Sequence, residues 1–341
     1  MKKILSAILV LASMISHAQV ITTLQHNGQT TVYYNQNGLV DACAASVDGD
    51  SIYLSGGHFN PVTINKRLNI FGTGHFPDST AATGITNIDG SITLNSAADN
   101  SHIEGLMING HFYLQTDSAV NNVVVSRCYI TGNFYSSGSR TTPSMFVTVK
   151  ECIIGGSFSV PNFLQCDISN NLIYTTIDYA WNCSIRNNIF FNAPYYGWPY
   201  YTYYNFYDCD NSLIENNIFM SSSYYFVFCD NPLVRNNIFV QSPSSVAGSG
   251  TFTANYINIS AANIFVNYTQ ASFTYLDNYH LQSPLIYLGS DATQVGIYGG
   301  AYPFKKSSVP INPHIRSVNI PATTDVNGNL NINISVGAQQ Q

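Results

Sequence analysis

Apolar and polar positions repeat through the middle of the chain in a six-residue frame. The frame is an aliphatic residue, a variable residue, a pair of asparagines and two further aliphatic or aromatic residues. Full matches start at Ile168, Ile185, Ile214 and Val234, and matches with Cys as the fourth residue start at Val125 and Val149. With looser matches at both ends, the fourth position falls at 106, 128, 152, 171, 188, 217, 237 and 263. These positions are about 22 residues apart on average.

A period near 22 residues with variable gaps predicts an all-β solenoid. Each coil holds short strands, and equivalent positions of successive coils stack about 4.8 Å apart. Inward Ile, Val and Phe side chains then form stacks, and the repeated asparagines form a hydrogen-bonded ladder. Leucine-rich repeats have similar periods, but their leucine frame is absent here.

Composition supports strands and turns over helices. Only 9% of residues are charged, against about 25% in an average soluble domain. The chain contains 38 Asn, 24 Tyr and 24 Gly, which favour strands and tight turns. The net charge is −6. No polybasic surface is indicated, and we expect neither nucleic acid nor anionic membrane as a partner.

The first residues are typical of a secretory signal peptide. Lys2 and Lys3 precede an apolar run from Ile4 to Ile15, and small residues follow up to Ala18. We expect cleavage after Ala18, so that residues 1–18 are removed. No later segment approaches the apolar length of a transmembrane helix. The sequence therefore predicts export, and leaves open the periplasm, the cell surface or the medium.

The repeat resembles the right-handed parallel β-helix of the pectate-lyase-like superfamily. The stretch from Gly38 to Gly74 resembles its N-terminal cap, and the stretch from His280 to Phe304 resembles the closing segment of uncharacterised secreted bacterial members. The resemblance implies a right-handed parallel β-helix over residues 19–304. It does not imply one activity, because this fold hosts lyases, hydrolases and adhesins.

Residues 305–341 differ in pattern from the repeat. Apolar and polar residues alternate strictly from Leu330 to Val336, which predicts a half-buried strand. We expect a tail of capping strands that packs on the last coils and covers the sheet edge. A sorting tail is the alternative.

The seven cysteines fit the repeat better than they fit a disulfide framework. Cys128 and Cys152 take the ladder position, and Cys209 and Cys229 both begin a Cys-Asp-Asn triplet. Small residues in equivalent positions of neighbouring coils should stack in the core. We therefore predict free, buried thiols, although export permits disulfides.

An aromatic insertion is the first candidate binding site. It lies in the 29-residue gap between positions 188 and 217. Flat rings on a loop suit stacking against sugars, and the alternative is that they cover the core. The candidate substrate-binding residues are Tyr195, Tyr196, Trp198, Tyr200, Tyr201, Tyr203 and Tyr204.

Three aspartates beside this insertion are the second candidate. Asp208, Asp210 and, one coil later, Asp230 should lie close together because Asp210-Asn211 and Asp230-Asn231 are equivalent. They could hold Ca²⁺ or act as the acid and base of an inverting glycosidase. An Asp-Asn turn capped by its own side chain is the alternative.

The chain departs from the enzymes of the family it resembles. Family lyases hold Ca²⁺ with acidic residues and use Lys or Arg as base, but residues 187–234 contain neither. The family hydrolases' Asn-Thr-Asp, Asp-Asp and Gly-His-Gly motifs are also missing. We therefore expect a protein that binds a polysaccharide or surface glycan. A polysaccharide lyase or glycoside hydrolase acting at the aspartates is the alternative, and the oligomeric state stays open.

Overall fold

The computed structural model describes residues 20–115, 119–136, 139–159, 162–191, 204–220, 226–243, 250–269, 273–305 and 308–338. Within these residues the chain is an all-β solenoid of stacked parallel strands, which confirms the predicted fold class. The predicted signal peptide lies outside them. Among the described residues, none of the helices has the length and apolar character needed to cross a membrane.

Three long sheets form the walls of the solenoid. Their strands are parallel, except that Gln29–Tyr33 and Thr22–His26 add to one end of sheet 1 in antiparallel pairing. Sheet 1 contains Gln29–Tyr33, Thr22–His26, Ser51–Leu54, Asn69–Phe71, His102–Glu104, Val124–Ser126, Thr148–Lys150, Asp167–Ser169, Ser184–Arg186, Leu213–Glu215, Leu233–Arg235 and Thr251–Thr253. Sheet 2 contains Gly57–Phe59, Thr86–Ile88, Met107–Ile108, Tyr129–Ile130, Ile153–Ile154, Leu172–Ile173, Ile189–Phe190, Ile218–Phe219 and Ile238–Phe239. Sheet 3 contains Val62–Ile64, Ile92–Leu94, Phe112–Leu114, Phe134–Ser136, Phe158–Ser159, Ile177–Asp178, Phe206–Tyr207 and Phe226–Val227.

Smaller elements complete the described structure. Sheet 4 follows sheet 3 in three coils and contains Ser144–Met145, Phe163–Leu164 and Ala180–Trp181. Two further antiparallel pairs lie outside the long sheets and are Phe265–Asn267 with Asn278–Leu281 and His314–Asn319 with Asn333–Gly337. Short 3₁₀ helices cover Pro77–Thr80, Ser96–Ala98 and Ala261–Asn263. The helix Gly38–Ala45 buries Leu39 and Ala42 in the core and forms the predicted N-terminal cap.

The core consists of the predicted side-chain stacks. Phe190, Phe219 and Phe239 lie on successive strands of sheet 2, with ring centroids 4.9 and 4.7 Å apart. These spacings match the distance between neighbouring strands. The residue before each of these rings points outward, yet it is also buried, because a second apolar layer from residues 264–304 covers sheet 2.

The second asparagine of each pair forms the predicted ladder. Each Nδ2 donates to the Oδ1 of the next rung at 3.0 Å, through Asn171, Asn188, Asn217, Asn237 and Asn255. The prediction that the row ends at Asn263 was wrong. Asn255 takes that rung because it follows the strand Thr251–Thr253, whereas Asn263 lies in an exposed 3₁₀ helix.

The first asparagine of each pair makes the bend between sheets 1 and 2. Its φ is positive, a region that Asn adopts more readily than most residues. The values are 56°, 55°, 59° and 53° at Asn170, Asn187, Asn216 and Asn236. Arg127 and Glu151 occupy the same bend in two earlier coils, with φ of 54°.

These bend residues hold a C-terminal strap, which we define as residues 287–305 and 308–311. The Nδ2 of Asn170 donates to the carbonyls of Ile297 and Gly299 at 2.9 and 2.8 Å. Further along, Arg127 donates to the carbonyl of Val309, and Ser308 accepts from the N–H of His75. The strap therefore runs back along the solenoid from its last coils toward its first.

The tail differs from the prediction in place and burial. Its strand Asn333–Gly337 forms, but among the described residues it pairs with His314–Asn319 alone, in an exposed hairpin. Ile332, Ile334 and Val336 are 50–59% exposed rather than half-buried on the last coils. Because the strap carries the chain back to the first coils, the tail starts there and does not cover the final edge.

All seven cysteines lie in the described part of the chain, and all are buried free thiols, as predicted. The N–H groups of Cys128, Cys166 and Cys209 each donate to the sulfur of the next coil, at 3.3–3.4 Å. Burial raises the pKa of Cys43 to about 12. The sulfurs thus act as small hydrogen-bonding core groups.

Candidate functional site

The aromatic insertion falls almost wholly outside the described residues. This applies to Tyr195, Tyr196, Trp198, Tyr200, Tyr201 and Tyr203. Tyr204 is described and is 7% exposed, with its ring centroid 5.4 Å from that of Tyr207. Tyr204 therefore packs beneath the surface, where the insertion rejoins the solenoid.

The aspartates stack as their sequence context predicts. The N–H of Asp230 donates to Oδ1 of Asp210 at 2.8 Å, and Asn231 donates to Asn211 at 3.4 Å. Asp208 occupies the bend that follows its strand of sheet 3, with a φ of 53°. One oxygen of Asp210 thus accepts from the backbone of the next coil rather than from its own turn, and the other remains for a different partner.

That partner is an arginine from an earlier coil. Arg140 Nη2 lies 3.1 Å from Oδ2 of Asp210 and 3.5 Å from Oδ1 of Asp208. Its guanidinium also lies 4.9 Å from the ring centroid of Trp181, a favourable cation–π arrangement. Trp181 Nε1 donates to Asp208 Oδ1 at 3.0 Å. The cluster therefore holds a cation that residues 187–234 do not supply.

Aromatic rings continue the cluster across the same bend. The ring centroid of Tyr207 lies 5.4 Å from the ring centroids of Tyr179 and Phe228, and its ring plane is steeply inclined to both. Tyr179, Asp208 and Phe228 share the bend position in successive coils, with φ of 54°, 53° and 53°. A positive φ is costly for aromatic residues, and here it is set by the bend that every coil makes. Phe228 is 57% exposed and presents its ring to solvent.

Asp178 adds a carboxyl group with a different environment. It pairs with Tyr207 in sheet 3 and is 8% exposed, and its Oδ1 has no hydrogen-bond partner in the described structure. Burial raises the pKa of Asp178 to about 7. Burial also raises the pKa of Tyr179, and Tyr207, Asp178 and Asp208 add to this shift. Two carboxyl groups therefore flank one phenol.

We call this arrangement the corner site, because it lies where sheet 3 meets sheet 4. Its residues are Arg140, Asp178, Tyr179, Trp181, Tyr207, Asp208, Asp210 and Phe228. Among the described residues, no group of three or more His, Cys, Asp or Glu side chains could hold a metal ion. Two of the three candidate calcium ligands, Asp208 and Asp210, contact a guanidinium instead. Calcium binding stays a prediction.

No protein-family model, curated protein or solved structure matches the chain. The similarity to the pectate-lyase-like superfamily is therefore shown for the parallel β-solenoid fold alone.

The sequence contained a signal for part of this site that the frame alone missed. Asp178, Tyr207 and Val227 each lie seven residues before the first residue of a repeat frame, and they pair in register. Extending the frame by seven residues would have aligned Tyr179 with Asp208 and Phe228. Arg140 has no such signal, because it comes from a turn outside the repeat.

Proposed function

We propose that this chain is an exported protein that binds a carbohydrate at the corner site. The observation that carries the proposal is the exposed ring of Phe228 beside Tyr207 and a group of carboxylates. Aromatic faces offer flat apolar surfaces to sugar rings, and carboxylate oxygens accept hydrogen bonds from sugar hydroxyls. Both kinds of group stand on neighbouring coils of a rigid solenoid, which suits recognition without rearrangement.

The charge of the site favours a neutral glycan. Asp208 and Asp210 share the guanidinium of Arg140, which leaves an excess of negative charge beside the exposed Asp230. The whole chain carries −6. An acidic glycan would meet like charge, whereas a neutral one would not.

Hydrolysis of the bound glycan is a second candidate function, and Asp178 favours it. With a pKa of about 7, Asp178 is protonated in part at neutral pH and could donate a proton to a leaving oxygen. Asp208, beside Arg140 and Trp181, could accept a proton from water. Elimination is less well supported, because the guanidinium of Arg140 is already held by the carboxylates of Asp208 and Asp210.

The test of binding compares two exposed phenylalanines in the same backbone conformation. Phe228→Ala should lower retention on a neutral-glycan array at least tenfold. Phe146→Ala is the matched control, because Phe146 is 50% exposed, has a φ of 56° and belongs to an earlier coil outside the site. Equal retention by both variants and the wild-type protein would reject the corner site. New reducing ends that vanish in Asp178→Asn would add hydrolysis to binding.

A further inference from the structure

A cavity of about 150 Å³ lies between the solenoid and the strap, at the bend between sheets 1 and 2. A cavity of about this size can hold a molecule as large as benzene. It is lined by His102, Glu104, Ser126, Arg127, Lys150, Glu151, Tyr302, Lys305 and Ile311. None of these residues belongs to the corner site.

A buried ion network forms one wall of the cavity. Arg127 binds Glu151 through Nε and Nη2 at 3.1 and 3.3 Å, and Glu104 through Nη1 at 3.1 Å. All three side chains are at most 5% exposed. The strap closes over them, with the N–H groups of Lys305 and Ile311 donating to Glu151 and Glu104. Contacts within the protein therefore hold this wall in place before any ligand binds.

The charges around the cavity leave a positive excess. Arg127, Lys150 and Lys305 face the carboxylates of Glu104 and Glu151, three positive charges against two negative ones. Within the described structure, no carboxylate lies within 4 Å of either lysine ammonium, although Lys150 Nζ lies 4.6 Å from the ring centroid of Tyr302. Two ammonium groups that lack a carboxylate within this distance at one cavity, beside a guanidinium, favour an anionic ligand.

One buried acceptor also lacks a partner. Oε2 of Glu104 accepts no hydrogen bond among the described residues, and Glu104 is 2% exposed. His102 Nε2 is 3.4 Å away and is 3.1 Å from the hydroxyl of Ser126. An unpaired buried oxygen is costly, so a ligand should bring a donor to this position.

We propose that the cavity binds a small oxyanion that also carries a hydroxyl group, such as hydrogenphosphate or a short α-hydroxycarboxylate. Its charged oxygens lie between Lys150 of the solenoid and Lys305 of the strap, and its hydroxyl donates to Glu104. This site is separate from carbohydrate binding. Because the two lysines belong to different segments, the bound anion also fastens the strap.

The experiment compares anions at equal ionic strength and pH 7.5. Inorganic phosphate and glycolate should raise the Tm of the full chain and slow tryptic cleavage of the strap. Sulfate and acetate carry no hydroxyl group at this pH. They should need at least a tenfold higher concentration to give the same rise in Tm and the same protection. Stabilisation by phosphate alone would assign the site to a tetrahedral anion, and stabilisation by glycolate alone to a hydroxycarboxylate. Equal effects of all four anions, or none, would overturn the proposal.

Variants separate this site from a general salt effect. In Lys150→Gln, the phosphate concentration needed for a given rise in Tm should increase at least tenfold. Arg186→Gln is the matched control, because Arg186 lies two strands further along the same outward row and away from the cavity. An unchanged phosphate response in Lys150→Gln, or an equal loss in both variants, would contradict the assignment. The corner site takes no part in this readout, so glycan binding can fail independently.

Discussion

The asparagine ladder gives the sharpest prediction about stability. Asn188 is fully buried, and its Oδ1 accepts from the backbone and side-chain N–H groups of Asn171 at 2.9 and 3.0 Å. Its Nδ2 donates to the carbonyl of Ile168 at 2.8 Å and to Asn217 at 3.0 Å. Asn188→Ala removes all four hydrogen bonds in the middle of the row.

The expected loss is set by the groups left behind. The N–H of Asn171 and the carbonyl of Ile168 would remain buried without these partners, at a cost of about 1–3 kcal/mol each. We therefore expect Asn188→Ala to lower the free energy of unfolding by about 3 kcal/mol or more. Asn188→Cys should lose less, because Cys152 already fills this row and accepts from the N–H of Cys128 at 3.4 Å.

The assay is urea unfolding followed by circular dichroism, with wild type, Asn188→Ala and Asn188→Cys measured together. The midpoints should fall in the order wild type, Cys, Ala. If Ala is as stable as the wild type, or if Cys is as damaging as Ala, the hydrogen bonds of the ladder do not stabilise the solenoid as described.

Three further outcomes follow from buried groups. Burial raises the pKa of Asp178 from 3.8 to about 7, so the folded state holds this proton more tightly; its contribution to stability is present below pH 4 and is lost as pH rises through 7. Asp178→Asn should flatten this fall in Tm, and an unchanged profile would contradict the burial. The native protein should hide its thiols from Ellman's reagent and show all seven after unfolding without reductant; a lower count would indicate disulfides. Arg127→Met leaves Glu104 and Glu151 buried without their cation, which should cost about 3–5 kcal/mol and expose the strap to trypsin; a stable variant with a protected strap would argue against the ion network.

The fold was predictable because the repeat carries its own geometry. Every coil needs a residue that tolerates positive φ, a small hydrogen-bonding core residue and an inward apolar residue. The six-residue frame contains all three. The same frame also contains a sign of the strap. Leu172, Ile189 and Ile218 follow the asparagine pairs and point outward, so an apolar cover was required. The sequence could not tell which segment supplies it, because nonrepeating residues have no register.

The candidate site was predictable only where it follows the repeat. The stacking of Asp210 on Asp230 followed from equivalent positions in neighbouring coils. Arg140 comes from a turn 70 residues before Asp210, and only the folded chain brings its charge to the aspartates. Residues 187–234 contain no Lys or Arg, so the sequence around the aspartates gave no sign of this cation.

Tryptophan fluorescence tests glycan binding at the corner site most directly. The chain has two tryptophans. Trp181 lies in the corner site, and Trp198 belongs to the aromatic insertion, outside the described residues. The ligand is a neutral oligosaccharide that the wild-type protein binds on the array. Its titration should change the emission saturably in wild type and Phe146→Ala, and the Kd from the same titration of Phe228→Ala should be at least tenfold higher. Retention without any change in emission, or an equal change in all three proteins, would place binding elsewhere on the solenoid.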